Sequence, residues 1–94
     1  MVILRIEHKV PHFEGWKKAF EADPINRKKS GVIRYGIFQP ADDPNFVIID
    51  LEFNDLSEAE NTLVKLSALW KNVEGKVMLN PKTQIIRLLE SSEV

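Results

Sequence analysis

Two histidines and one tyrosine are the side chains of this 94-residue chain best suited to move a proton near neutral pH or to hydrogen-bond a developing negative charge. His8 ends an alternating run and shares the parity of Val2, Leu4 and Ile6, so its imidazole sits at the edge of an apolar layer. It is the candidate catalytic base or proton shuttle; its plain alternative is a histidine hydrogen-bonded at the core edge. Tyr35 falls on the same parity of a second alternating run, where its hydroxyl could donate to a carbonyl or phenol oxygen. A buried tyrosine can equally span the core with its hydroxyl satisfied at the rim. His12 falls at or just before a first helical turn and reads as solvent-facing. Trp16, Phe20 and Trp70 are candidate walls for a planar substrate, or plain core, because aromatics at helical spacing serve packing first.

Other chemistry is excluded by composition. The absence of cysteine removes thiolate nucleophiles, disulfides and thiolate metal sites. His8 and His12 straddle Pro11, so they do not share one helix, and no third ligand accompanies them; no metal or other cofactor is expected. No Ser-His-Asp arrangement, G-x-S-x-G elbow or dinucleotide fingerprint is present. Arg27-Lys28-Lys29 beside Ser30-Gly31 lacks the phosphate-loop pattern and reads as a solvated helix cap. Thirteen Lys and Arg against fourteen Asp and Glu give a net charge of −1, which argues against nucleic acid and anionic membrane as partners. Arg5, Glu7 and Lys9 break up the first apolar run, so it is no signal peptide, and no apolar stretch approaches the roughly 20 residues of a membrane span. A cytoplasmic location is the expectation.

The elements that must position these side chains follow from periodicity. Segment 2–9 alternates and stops at Val10-Pro11, where proline removes the ladder donor. Between His12 and Ala22, Phe13, Trp16 and Phe20 recur at i, i+3 and i+7 and form one aromatic stripe. Asp23-Pro24 resembles an N-cap followed by proline, so the helix should break and restart as a short turn through Lys29, with Gly31 releasing the chain into a second strand at 32–39. The cluster Ala41-Asp42-Asp43-Pro44-Asn45 predicts a turn joining it to an antiparallel strand at 46–53. Ser57 and Glu60 have capping-box spacing, and Ala59, Leu63, Leu66, Trp70 and Val73 predict a helix from Ser57 to Val73 that points Trp70 inward. Gly75 reads as its stop, Asn80-Pro81 as a loop, Thr83 to Leu89 as a final strand, and 90–94 as a frayed tail.

This order, β-α-β-β-α-β, is the ferredoxin-like α+β plan, with two helices on one face of a four-stranded antiparallel sheet in a single domain spanning 1–94. Parity then sorts the sheet. One side gathers Val2, Leu4, Ile6, Ile33, Tyr35 and Ile37, then Val47, Ile49, Leu51, Phe53, Ile86 and Leu88, with His8, Tyr35 and Gln84 as its polar exceptions; this side should lie under the helices. The opposite side mixes Ile3, Phe38 and Ile48 with Arg5, Arg34, Arg87, Glu7, Asp50 and Glu52, whose charges should pair across strands. A half-apolar face with balanced charge meets another protein surface, and a chain of this size gains from the extra burial, so a homodimer through that face is expected.

The run His8-Lys9-Val10-Pro11-His12-Phe13-Glu14-Gly15-Trp16-Lys17-Lys18-Ala19-Phe20, with Asp42-Asp43-Pro44-Asn45 before an apolar strand, Leu51-Glu52-Phe53 and an Ala-rich helix start, resembles the small dimeric α+β-barrel proteins. It is most similar to the branch labelled cyclase-like or antibiotic-biosynthesis-monooxygenase-like. The resemblance implies a homodimer whose sheets form a shared barrel, with a small-molecule cavity in each protomer between helices and sheet. Some members oxidise polycyclic aromatics with molecular oxygen and neither metal nor flavin, and others degrade haem. The haem-degrading members use an Asn on strand one and a His late in the second long helix, neither of which stands here. The quinol-type members use an Asn and a Trp in that helix; Asn61 and Trp70 are comparable in kind but not in spacing, and Trp70 alone carries over, as a cavity wall. The implied function is binding of a small apolar or aromatic molecule, with cofactor-independent oxidation; the rival is a non-catalytic ligand sensor or structural dimer.

Overall fold

The computed structural model describes residues 1–73 and 78–94. Its elements are β1 (Val2–Lys9), α1 (Phe13–Glu21), α2 (Arg27–Ser30), β2 (Arg34–Phe38), β3 (Phe46–Phe53), α3 (Leu56–Val73) and β4 (Leu79–Arg87). The strands form one antiparallel sheet in the order β2-β3-β1-β4, so the first and third strands lie at its centre and the other two are edges. This is the ferredoxin-like α+β fold that the pattern predicts. No helix among the described residues is long and apolar enough to cross a membrane.

The central strands behave as their alternation requires. Val2, Leu4, Ile6 and His8 of β1 and Val47, Ile49, Leu51 and Phe53 of β3 are all buried. Directly paired residues share a face, and Leu4 pairs Leu51 while His8 pairs Val47. Onto this layer pack Trp16 from α1 and Ala59 and Leu66 from α3. The buried stripe of α3 also contains Thr62, which the periodicity passed over because a threonine does not announce itself as core. Val73 in that stripe and the Gly75 stop lie outside the described residues and side chains.

The charged face is organised as expected at two of its pairs. Arg5 stands directly opposite Asp50 and donates from two guanidinium nitrogens to its two carboxylate oxygens, at 2.8 and 2.9 Å. That fork raises the Arg5 pKa, through the hydrogen bond to Asp50 first and its charge second. Arg34, opposite Glu52, lies 3.4 Å from that carboxylate.

The last strand departs from the parity reading. Leu4 pairs Ile85 and Ile3 pairs Ile86, so Thr83, Ile85 and Arg87 are on the helix side, and Ile86 and Gln84 are on the charged side. Ile85 packs against the core, whereas Leu88 lies beyond the strand, 43% exposed, with its N–H donated to the Met1 carbonyl. The apolar doublets Ile85-Ile86 and Leu88-Leu89 satisfy either parity, and only the ladder with β1 decides between them.

Three local assignments are also corrected. Asn80-Pro81 lies inside β4 rather than in a loop: Asn80 takes φ 51° where the β1–β4 register shifts, and Pro81 is tolerated because an edge strand can spare a donor. The second helix restarts at Arg27 under the side chain of Asn26, not at Asp23, which adopts φ 53°. The third helix starts at Leu56, with the Asp55 carboxylate accepting from the Ser57 N–H, two residues before the predicted capping box.

Candidate functional site

A partly open cavity of about 310 Å³ lies between the helices and the buried face of the sheet. Ile6, Ile49 and Leu51 form its floor from the central strands. Trp16 and Phe20 of α1 and Leu66, Leu69 and Trp70 of α3 supply its walls, and Met78 closes it near β4. The aromatic stripe of α1 and the inward face of α3 therefore meet where the sequence expects them, and the volume is at the lower end of the range for small-molecule sites.

His8 is the polar group on the floor. It is 2% exposed, with Nδ1 3.0 Å from the Lys9 carbonyl oxygen. A carbonyl only accepts, so Nδ1 carries the proton, and in the neutral ring Nε2 is the free acceptor, with no protein partner among the described residues. Burial lowers the His8 pKa, and the hydrogen bond to Lys9 opposes it only in part. The ring is thus neutral at pH 7 and able to take a proton at Nε2.

From His8 an aromatic series runs to the edge of the sheet. The His8 and Trp16 ring centroids are 5.8 Å apart, Trp16 and Phe20 5.3 Å, and Phe20 and Tyr35 5.0 Å. Spacings of this kind belong to tilted and edge-on aromatic packing. Four of the five residues singled out, His8, Trp16, Phe20 and Trp70, therefore line one cavity. Tyr35 does not. It shares the helix-side parity, but β2 is an edge strand that the helices cover only in part, and Tyr35 is 47% exposed at the rim. His12 caps α1: its Nδ1 accepts from the Gly15 N–H at 3.0 Å.

Arg27 is the residue that sequence reasoning missed. Rather than forming a solvated cap with Lys28 and Lys29, it folds back across the end of α1 and lines the cavity. One of its terminal nitrogens donates to the Phe20 carbonyl at 2.7 Å, satisfying a helix-end acceptor, and lies 3.5 Å from Asp23. Its guanidinium carbon stands 4.0 Å from the Phe20 ring centroid and 5.1 Å from that of Tyr35. The i, i+4 spacing of Asp23 and Arg27 is the one sequence signal that could have singled it out.

No protein-family model and no curated protein matches the sequence. Solved structures do match over nearly the whole chain. A Nitrosomonas europaea protein provisionally described as an antibiotic biosynthesis monooxygenase superposes with a TM-score of 0.71 at 21% identity, covering 96% of this chain and 100% of its own. SnoaB, a cofactor-independent oxygenase from Streptomyces nogalater, gives 0.73 at 9% identity over 96% and 94% of the two chains. The fold is that of the antibiotic biosynthesis monooxygenase-like, dimeric α+β-barrel proteins. Within this monooxygenase-like fold, a variant of MhuD holding two manganese protoporphyrin IX molecules per active site also superposes, at 0.69 and 12% identity, with both chains fully covered. At these identities what is shared is the fold of the chain; here α3, the second long helix, carries no histidine.

Proposed function

We propose that this chain is a homodimer that binds a small, flat, largely apolar aromatic molecule between helices and sheet and oxidises it with molecular oxygen, without a cofactor. The observation that carries this reading is the free Nε2 of a buried, neutral His8 in the floor of a largely apolar, aromatic-walled cavity. His8 takes the proton from an acidic phenol or activated C–H. The resulting electron-rich anion then reacts with oxygen; for an activated methylene, one oxygen atom enters the product as a carbonyl and the other leaves as water, so no outside reductant is needed. Trp16 and Trp70 hold the ring plane and exclude water. Tyr35, at the rim, buttresses Phe20 and Arg27. The likeness to a cofactor-independent oxygenase supports the reading, and the charged sheet face with its apolar flanks supports the dimer.

A second reading is favoured by one observation: Tyr35 lies outside the lining, which leaves His8 without a hydroxyl partner for a two-group proton relay. That arrangement suits a sensor that binds without turnover. Anthrone and its oxygen-free control separate the two. Catalysis predicts that the protein raises the melting temperature with ligand, accelerates oxygen uptake, and loses the acceleration in His8→Gln while binding persists. Binding with no oxygen uptake in the wild type leaves the sensor; no binding at all removes both.

A further inference from the structure

We infer that the molecule held in this cavity carries a carboxylate, and that Arg27 is the residue that anchors it. This rests on the reading of the cavity as a ligand site and adds the chemical class of the ligand.

Three observations converge on Arg27. First, among the described residues it is the cavity's cation: every other described lining side chain except His8 is apolar or an aromatic wall, and His8 is held neutral by burial. A charge at the edge of so apolar a space makes sense when an opposite charge arrives with the ligand. Second, its side chain is only 19% exposed, yet one terminal nitrogen alone has protein acceptors, the Phe20 carbonyl at 2.7 Å and the more distant Asp23 at 3.5 Å. The Nε–H and the other terminal NH₂ have no acceptor among the described residues, and together they present the fork that matches a planar carboxylate. Third, the guanidinium is already oriented. It lies over the Phe20 ring, is flanked by Tyr35, and is tied to the end of α1, so little side-chain freedom remains to be lost on binding.

The geometry also selects among anions. Asp23 neutralises part of the guanidinium charge, and Lys28 and Lys29 are exposed rather than in the lining, so among the described residues a doubly charged phosphate would find no second cation. A singly charged carboxylate on an aromatic ring fits both the fork and the walls: the ring lies between Trp16 and Trp70 and the acid group points to the mouth where Arg27 stands. The same placement leaves the far end of the ring nearest His8 on the floor.

Calorimetric titration of the intact protein with 2-naphthoate and its neutral isostere 2-naphthamide tests this. The wild type should bind both, the acid about ten-fold or more tightly, as a charge-assisted fork is worth, with the advantage shrinking as salt is raised. Arg27→Gln should bring the two affinities together while leaving 2-naphthamide binding in place, and Arg27→Lys should keep part of the preference. Equal binding of the two probes by the wild type, or an undiminished preference in Arg27→Gln, overturns the anchoring role and leaves the cavity reading intact. Failure of both probes to bind overturns the cavity reading and this inference with it. Should Arg27→Gln not fold, for want of the bond to Phe20, the wild-type comparison decides alone.

Discussion

The imidazole of His8 and the indole of Trp16 pack at 5.8 Å between centroids and 59° between planes, so the strand and the helix that build the cavity meet through the one buried titratable ring. Protonating that ring places a charge against an aromatic wall and an apolar floor. The folded pKa lies below the ordinary 6.5 because of burial, and the unfolded chain therefore takes up the proton first as pH falls. The stabilising effect of a neutral His8 is fully present above about 6.5 and is lost between there and the lower folded value, with a slope of at most about 1.4 kcal/mol per pH unit. Urea denaturation from pH 8 to pH 5 should show this fall in the wild type and a flatter profile in His8→Gln. An identical slope in both would show that other groups carry the acid sensitivity.

The fork between Arg5 and Asp50 occupies the middle of the open sheet face. Arg5 is 40% exposed in the single chain, so the pair alone is worth about 1 kcal/mol or less. Arg5→Glu sets two acids opposite each other, and in a face-to-face dimer both would be desolvated. Sedimentation velocity should show the wild type as a dimer and Arg5→Glu shifted to monomer with its circular dichroism unchanged. A variant that stays dimeric would move the interface to another surface.

Thr62 is fully buried in α3, and its hydroxyl has no hydrogen-bond partner among the described residues. Thr62→Val keeps the shape and removes the unpaired group, so the protein should gain about 1 kcal/mol in urea denaturation. Loss of stability would mean that the hydroxyl has an acceptor in solution.

Gly31 ends α2 at φ 100°, and a Cβ there would also meet the Glu58 carboxylate. Glu58 can swing aside, but the backbone angle cannot be relieved as easily. Gly31→Ala should therefore cost about 1 kcal/mol or more, and Glu58→Ala should not restore it. Full rescue by the second substitution would assign the cost to the contact instead.

What sequence reasoning reaches here depends on how far apart the deciding contacts lie. β1 and β3 are bounded by Pro11, Pro44-Asn45 and an unbroken alternation, and their ends agree with the structure to the residue. Phe13, Trp16 and Phe20 declare one helical face, and His8 follows Leu4 and Ile6 onto the buried side. By contrast, Ile85 and Ile86 are interchangeable until β1 fixes the ladder. Tyr35 has the right parity, but only the strand order reveals that its strand is an edge. Arg27 looks like its neighbours Lys28 and Lys29; what singles it out is a carbonyl seven residues back and two rings from different elements, none of which a local pattern encodes.

The kink that Asn80 and Pro81 put into β4 reaches beyond this one strand. An edge strand exposes a row of main-chain donors and acceptors that any other extended chain can extend, and fibres grow by that route. Here the outer margin is interrupted by a missing donor and a register shift, while the opposite margin, β2, is only five residues long. Neither side offers the long, regular template that propagation needs. The molecule can therefore keep a broad half-apolar sheet face while its margins resist open-ended strand addition.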